Sequence, residues 1–414
     1  MNQNSLLKIL ILAQHYTPEE VSGAILATEL AEDLVAHGHQ VYFVTSTPSY
    51  PKGKVFSGYR NSLLKKEKRG GVQIIRVWSF ISKSKAFWPR ILNFASFSFM
   101  SLWGGLAAGK PDVIFSYSPP LPLGIAAWLL SQLWHVPWIL RVEDLYPDTA
   151  VASGALRNRR IIRLFYGLEK FLYKRCTHLS VISKGFEQVI EAKGISKAKI
   201  SVQPVWADPD FIQPGPKDNS FRKLHGLTNK FVILYAGNIG QTSCLEDVML
   251  VAESLKDNLL IRFVVIGEGV KKTLIKKIIQ QRSLTNVLLL PFQPREDLSG
   301  IMAAADVGLV TINKESASYS LPSKVFNVMA SSRPILSIAP TESELAQLVN
   351  DEDIGINVAP GETDNLLKAI MFFVEHPKQS NEMGTLGRNT ILSKYSRVEV
   401  IHQYEELLRS ISQK

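Results

Sequence analysis

The feature that most constrains this chain is an alternation of short apolar runs with longer amphipathic stretches, broken once and then resumed. In the first half the runs KILILA (8–13), QVYFVTS (40–46), VQIIRVW (72–78), DVIFSY (112–117), WILRVE (138–143) and HLSVIS (178–183) read as strands. Helical stretches such as 24–37 and 157–174 lie between several of them. A segment rich in Pro, Gly and Asp, PVWADPDFIQPGPKDN (204–219), then reads as a linker. Beyond it the alternation restarts with FVILYAG (231–237), IRFVVIG (261–267), NVLLLPF (286–292), VGLVTI (307–312) and PILSIA (334–339).

Strands alternating with helices predict an α/β chain built as two Rossmann-like, doubly wound parallel sheets facing a cleft. A length of 414 residues suits two cores of roughly 200 residues each. The expected domains are 1–205 on the acceptor side and 206–392 for the nucleotide, with a helix in 393–414 packing back toward the first. Ligands of such sheets bind beyond the carboxyl ends of the strands, so the expected site lies there.

Cys176 and Cys244 are the two cysteines, in no metal-ligand spacing, which argues against a disulfide framework or zinc site and for a reducing compartment. The net charge of +10 is concentrated in the first half. Eleven basic residues lie between Lys52 and Arg90 against one acid, Glu67, and Arg157, Arg159, Arg160, Arg163, Lys170, Lys174 and Arg175 accompany only Glu169. Such fields attract anionic lipid or polyanionic substrates, or else form a solvated surface. No recognisable nucleic-acid reader module accompanies them. The apolar 6–13 stretch reads as a buried strand, not a signal peptide. The stretch 91–108 is borderline in length for a membrane span and carries Asn93 and several serines, so a buried or interfacial helix is expected.

Chemistry concentrates in the second half. Gly237-Asn238-Ile239-Gly240-Gln241 follows a strand and precedes a helix, a turn whose backbone N–H groups can approach a phosphate. Gly267-Glu268-Gly269 forms a second such turn, with Lys271 and Lys272 behind it. The run Ser320-Leu321-Pro322-Ser323-Lys324-Val325-Phe326-Asn327 leads a loop into a short helix. Lys324 is placed to meet a diphosphate as a point charge, and Asn327, a turn later, to bond ribose hydroxyls.

This region resembles the donor-binding segment of the retaining, GT-B-fold glycosyltransferases of family 4, in the branch of colanic-acid and O-antigen fucosyl-type transferases. QHYTPEEVSGA, RVEDLYPDTAVASGAL, VISKGF, YAGNIG and ADVGLV extend the resemblance over nearly the whole chain. It implies that the loop at Ser22-Gly23 approaches the donor. Asp144 would stand near the reacting centre, with Glu143 and Asp148 as alternatives. Phe292 and Gln293 would hold the base, and Gly237, Gly240 and Gln241 would line the diphosphate. Asn238, Gly267 and Ser323 join the expected donor site, and Glu315, Glu342 and Glu344 are weaker candidates.

The family's pair of glutamates is missing: their positions hold Tyr319 and Asn327, and Glu315 has the wrong spacing. The family's usual Arg and Lys after the first Gly-rich turn are also absent, so Lys324, with Lys271 or Lys272, must neutralise the diphosphate. The expectation is a metal-independent, cofactor-free transferase. It would move a sugar from a UDP- or GDP-linked donor to a glycan or polyprenyl-diphosphate-linked acceptor, in the cytoplasm or peripheral on the inner face of the plasma membrane. A nucleotide-sugar 2-epimerase and an inactive membrane-bound scaffold remain as alternatives, and a dinucleotide oxidoreductase is disfavoured because no G-x-G-x-x-G follows either first strand.

Overall fold

The structure, a computed structural model, describes residues 6–84, 87–152, 154, 156–317 and 321–413. Lys85, Tyr319 and Ser320 therefore lie outside the described residues. The chain divides into two compact units: Met1–Pro204 with Val400–Lys414, and Val205–Glu399.

The first unit holds eight strands: β1 (Lys8–Leu12), β2 (Gln40–Ser46), β3 (Leu64–Arg69), β4 (Val72–Val77), β5 (Val113–Ser118), β6 (Trp138–Val142), β7 (His178–Val181) and β8 (Ile200–Val202). Their order is β3-β4-β2-β1-β5-β6-β7-β8, all parallel except β3, which pairs antiparallel with β4. Its helices are α1 (Ser22–Ala36), α2 (Phe87–Ala108), α3 (Leu123–Trp134), α4 (Asp148–Ala152), α5 (Arg159–Arg175) and α6 (Lys184–Ala192). β3 is missing from the sequence reading because LKKEKR offers no buried alternation and is almost wholly exposed. Lysines on such an edge block pairing with another chain. Part of the basic cluster at 52–90 thus guards a sheet edge, and Arg76 within it is buried on Glu67 (2.7 Å) and the Thr17 carbonyl (2.7 Å).

Sheet order explains where the helices lie. Right-handed crossovers put α1, which steps from β1 to β2, on one face and α2, α3 and α5, which step the other way, on the opposite face. The polar Asn93 inside the apolar α2 accepts from the Gln14 side chain (2.5 Å) and donates to the Phe80 carbonyl (2.7 Å), pinning the helix to the loop after β1.

The second unit is a fully parallel sheet of order β11-β10-β9-β12-β13-β14. Its strands are β9 (Phe231–Ala236), β10 (Ile261–Ile266), β11 (Val287–Leu290), β12 (Val307–Thr311), β13 (Ile335–Ile338) and β14 (Gly355–Val358). Around them lie α7 (Ser220–Leu224), α8 (Leu245–Ser254), α9 (Lys272–Gln281), α10 (Leu298–Ala303), α11 (Lys324–Ala330), α12 (Glu344–Asp351), α13 (Thr363–Glu375) and α14 (Pro377–Thr390). Two apolar layers sandwich the sheet, one around Phe326 and Met329, the other around Met249 and Phe263.

The last helix, α15 (Arg397–Ser412), is grouped with the first unit from Val400 onward. Tyr404 packs edge-on against Phe115 of β5, and the Arg141 guanidinium lies over its ring at 5.2 Å. Glu405 accepts from His37 (2.8 Å), His39 (3.1 Å) and Arg409 (2.6 Å). The Leu7 N–H donates to Nδ1 of His39, so its proton sits on Nε2 and points at Glu405. Burial alone would raise the Glu405 carboxyl, but these donors outweigh it and hold the group down to about 2.

A carboxyl lowered in the fold adds stability above its unfolded pKa, and loses it as the pH falls toward the folded value. Glu405→Gln should therefore cost about 1–3 kcal/mol at neutral pH. Urea denaturation of both proteins across the acid range should show that gap closing between about pH 4 and 2.

Candidate functional site

In the second unit the order in which strands are added reverses between β9 and β12, the position at which parallel sheets open a crevice. The loop after β9 carries Gly237, Asn238, Gly240 and Gln241, and it is tied to its neighbours on both sides. Toward β10, Ile239 N–H donates to the Glu268 carbonyl (2.8 Å) and Lys271 N–H to that of Ile239 (3.1 Å). Toward β12, Asn313 bonds through its side chain to the Gln241 carbonyl (3.3 Å) and through its N–H to that of Thr242 (2.9 Å).

Lys324, the first residue of α11, reaches into this crevice. Its Nζ donates to the Tyr235 hydroxyl at 2.6 Å and lies 3.8 Å from the ring centroid. The hydroxyl in turn donates to the Asn238 carbonyl (2.6 Å), so one tyrosine links the lysine to the loop. A Cβ on Gly237 would stand 3.3 Å from the amine, which explains a residue without a side chain there. Burial pulls the Lys324 amine down to about 7 and pushes the Tyr235 phenol well up, keeping it protonated. Lys324 is thus a desolvated cation on a neutral partner, ready to take a negative charge. Tyr235 was not singled out in the sequence, since a tyrosine on a core strand signals only packing.

In the first unit Glu143 and Asp144 follow β6, and Ser22 and Gly23 open α1 at the switch between β1 and β5. Glu143 comes within 3.5 Å of the place a Gly23 Cβ would occupy. Burial raises the carboxyl of Glu143, Arg141 opposing and Asp144 reinforcing it. Burial lifts Asp144 to about 6, against a Thr149 hydrogen bond and the Arg90 charge. Close by, Ile91, Phe94, Ala95, Pro119, Leu121, Pro122, Tyr146 and Phe165 line a small apolar pocket of about 30 Å³. Among the described residues no group of three or more His, Cys, Asp or Glu side chains is placed to hold a metal ion.

A family model described as Glycosyl transferase 4-like domain matches residues 24–206, and one described as Glycosyl transferases group 1 matches 216–390. The chain is a glycosyltransferase, its first domain 4-like and its second of group 1. It is 27% identical over 407 residues to WcaI of Escherichia coli K12, named as a colanic acid biosynthesis glycosyl transferase, covering 96% of this chain and 98% of WcaI. Its fold is that of sucrose-phosphate synthase from Thermosynechococcus elongatus, with a TM-score of 0.76, 17% identity and 97% and 98% of the two chains covered. Anabaena HepE, solved with UDP-glucose, matches with a TM-score of 0.69 at 14% identity over 98% and 100% of the chains. Both likenesses support a two-domain GT-B fold.

Against that fold, several expected residues of the glycosyltransferase need correction. Lys271 is committed to Glu246 (2.8 Å) and the Ser243 carbonyl, and Lys272 to Glu268 (2.6 Å), so of the three lysines expected at a diphosphate only Lys324 lacks a carboxylate partner. Gly267 does not line an open site: it is buried, and a Cβ there would fall 1.9 Å from the Gly237 carbonyl oxygen. Ser22 and Gly23 are the first turn of α1, not a loop, and a Cβ at Gly23 would meet only an ordinary contact. Asp148 is tied to Lys193 (2.5 Å) and the Tyr166 hydroxyl (2.7 Å), which removes it as an alternative to Asp144. Arg141 is a buried strut on Val181 and Gln203 carbonyls (3.1 and 2.6 Å), 4.0 Å from Glu143.

The remaining candidates are less defined. Ser323 precedes Lys324 and is exposed, and Asn327 is half-buried one turn on. Phe292 is 57% exposed after β11, and the adjacent Gln293 folds back onto the Pro291 carbonyl (2.9 Å). Glu315 and Glu342 are exposed, and Glu344 lies in the first turn of α12.

Thermal unfolding separates the two kinds of glycine. Gly267→Ala should cost more than about 2 kcal/mol, because backbone atoms must move to admit the methyl. Gly23→Ala should leave the melting temperature unchanged and reveal itself only in turnover, as expected if the free space at Gly23 belongs to a ligand.

Proposed function

We propose that this glycosyltransferase moves a hexosyl or deoxyhexosyl group from a UDP- or GDP-linked donor to a glycan hydroxyl, in polysaccharide biosynthesis. In this reading the anomeric configuration is retained, no metal takes part, and the acceptor is carried on a polyprenyl diphosphate at the cytoplasmic face of a membrane. The observation that carries the donor assignment is Lys324, a partly buried cation without a carboxylate at the switch point of the second sheet. HepE supports it as a neighbour solved with UDP-glucose, and WcaI supports the polysaccharide context by its name.

The chemistry asked of the protein is modest, because a sugar nucleotide already holds a good leaving group. As the bond from the anomeric carbon to the diphosphate oxygen breaks, charge builds on that oxygen. Lys324 and the N–H groups of the Gly237–Gln241 loop would stabilise it in a site where water competes little. Tyr235 is a positioning residue: it fixes the amine and spares it an acid that would cancel its charge. As the acceptor oxygen bonds to the anomeric carbon on the same face from which the diphosphate departs, its proton would pass to Asp144, a carboxylate near 6 and so ionised yet basic enough near neutrality. Phe292 would stack on the base and Asn327 would bond the ribose.

A thermal-shift panel of UDP, GDP, ADP and CMP and their sugars tests the donor, since a ligand that binds the folded state raises its melting temperature. One UDP- or GDP-sugar should stabilise the wild type, Lys324→Ala should lose that shift, and transfer should fall about 10²–10³-fold. If K324A keeps both binding and transfer, the donor assignment is wrong.

The pH dependence separates the two units' roles. Because the amine must be charged to hold a diphosphate, donor affinity should weaken as the pH rises through about 7, with no such trend in K324A. The transfer rate should rise with pH through about 6 as Asp144 ionises, and Asp144→Asn should remove that limb. Isothermal titration and pH–rate profiles measure the two.

A further inference from the structure

We propose that the outward face formed by α2, α3 and α5 of the first unit seats the chain on an anionic lipid bilayer. Along α2, Leu92, Phe99, Trp103 and Leu106 are 53, 65, 52 and 37% exposed, and their spacing puts them in one stripe. On α3, which packs against α2, Leu129 and Leu133 extend the stripe at 40 and 59% exposure. Residues 91–109 and the whole of α3 contain no charged side chain. A helix facing water normally carries charges on its outer side, and a contiguous exposed apolar patch marks a surface that is covered in use.

Charge identifies what covers it. Next to α3, the outer surface of α5 presents Arg159, Arg160, Arg163, Lys170 and Lys174, all exposed. The one acid of that helix, Glu169, is buried and bonded to Lys193 (2.6 Å). An apolar stripe bordered by unneutralised arginines fits the acyl boundary and anionic headgroups of a bilayer. A second copy of this chain would bring two arginine rows together.

Length and composition alone would let Trp88–Ala108 cross a membrane, but the opposite side of α2 belongs to the core. Phe97 and Ser101 are fully buried, and Asn93 is bonded to Gln14. The helix therefore lies along the surface. The stripe runs up to the apolar pocket lined by Ile91, Ala95 and Tyr146, so the seat brings the neighbourhood of Asp144 to the lipid. The inference deepens the acceptor part of the proposed function and does not depend on the donor.

Flotation of the full chain on phosphatidylcholine vesicles with and without phosphatidylglycerol tests it. Binding is expected on the anionic vesicles at low salt and not on phosphatidylcholine alone. Arg159→Gln, Arg160→Gln and Arg163→Gln should each weaken it about fivefold. Phe99→Glu with Trp103→Glu should abolish it, as should Leu133→Glu made separately on α3. An unchanged melting temperature and nucleotide shift show that each variant is folded with its donor site intact. Absence of flotation by the wild type, or full flotation by both glutamate variants, overturns the proposal. So does a wild-type dimer in solution that the same variants dissociate without any lipid binding. In each of these cases the nucleotide shift still reports the donor reading independently.

Discussion

Lys324 is held without a counter-charge among the described residues, on a tyrosine that ties it to the glycine loop. An amine taken out of water needs a partner, and a carboxylate would be the usual one. Here the partner is the Tyr235 hydroxyl, neutral because burial keeps the phenol protonated. The tyrosine passes its own hydrogen to the Asn238 carbonyl, so the amine, the ring and the glycine loop form one unit. The acids nearby are spent elsewhere: Glu246 on Lys271 and Glu268 on Lys272. What remains is a cation whose electrostatic demand is met best by an incoming anion.

The same economy appears in the first unit with the opposite sign. Of the two carboxylates after β6, Glu143 lies 4.0 Å from Arg141, whose Nη1 bonds backbone carbonyls, and Asp144 has no ion-pair partner among the described residues, Asp148 taking Lys193. Their carboxyls are raised by burial, toward the range where a carboxylate can accept a proton near neutrality. In both units a charged group near the carboxyl ends of the strands is deprived of the neighbour that would have quenched it. Glu405, by contrast, is paired with two histidines and an arginine.

The outer face of α2, α3 and α5 follows from topology as much as from composition. Because β5, β6 and β7 are added in one direction, their crossover helices stand side by side on one face of the sheet. Apolar residues separated by tens of positions in sequence thereby become neighbours. The lysines of β3, by contrast, protect a sheet edge, so two basic clusters of similar composition have different duties.

Much of this protein was determined by its sequence alone. Two parallel α/β units, eleven of the fourteen strands, and the glycosyltransferase relationship were legible because buried strands are short apolar runs and because ordered motifs persist along the chain. β3, β8 and β14 were not, being charged, very short or flanked by glycine, so that pairing and not local pattern makes them strands. That Gly267 serves the fold was equally hidden: it is demanded by a carbonyl of another loop, whereas a Cβ at Gly23 would meet only an ordinary contact. Lys324 was already the foremost lysine in the sequence; only the tertiary structure showed that Lys271 and Lys272 are paired with Glu246 and Glu268. A lysine's charge is the same everywhere in a sequence, and its availability depends on which acids the fold brings within reach.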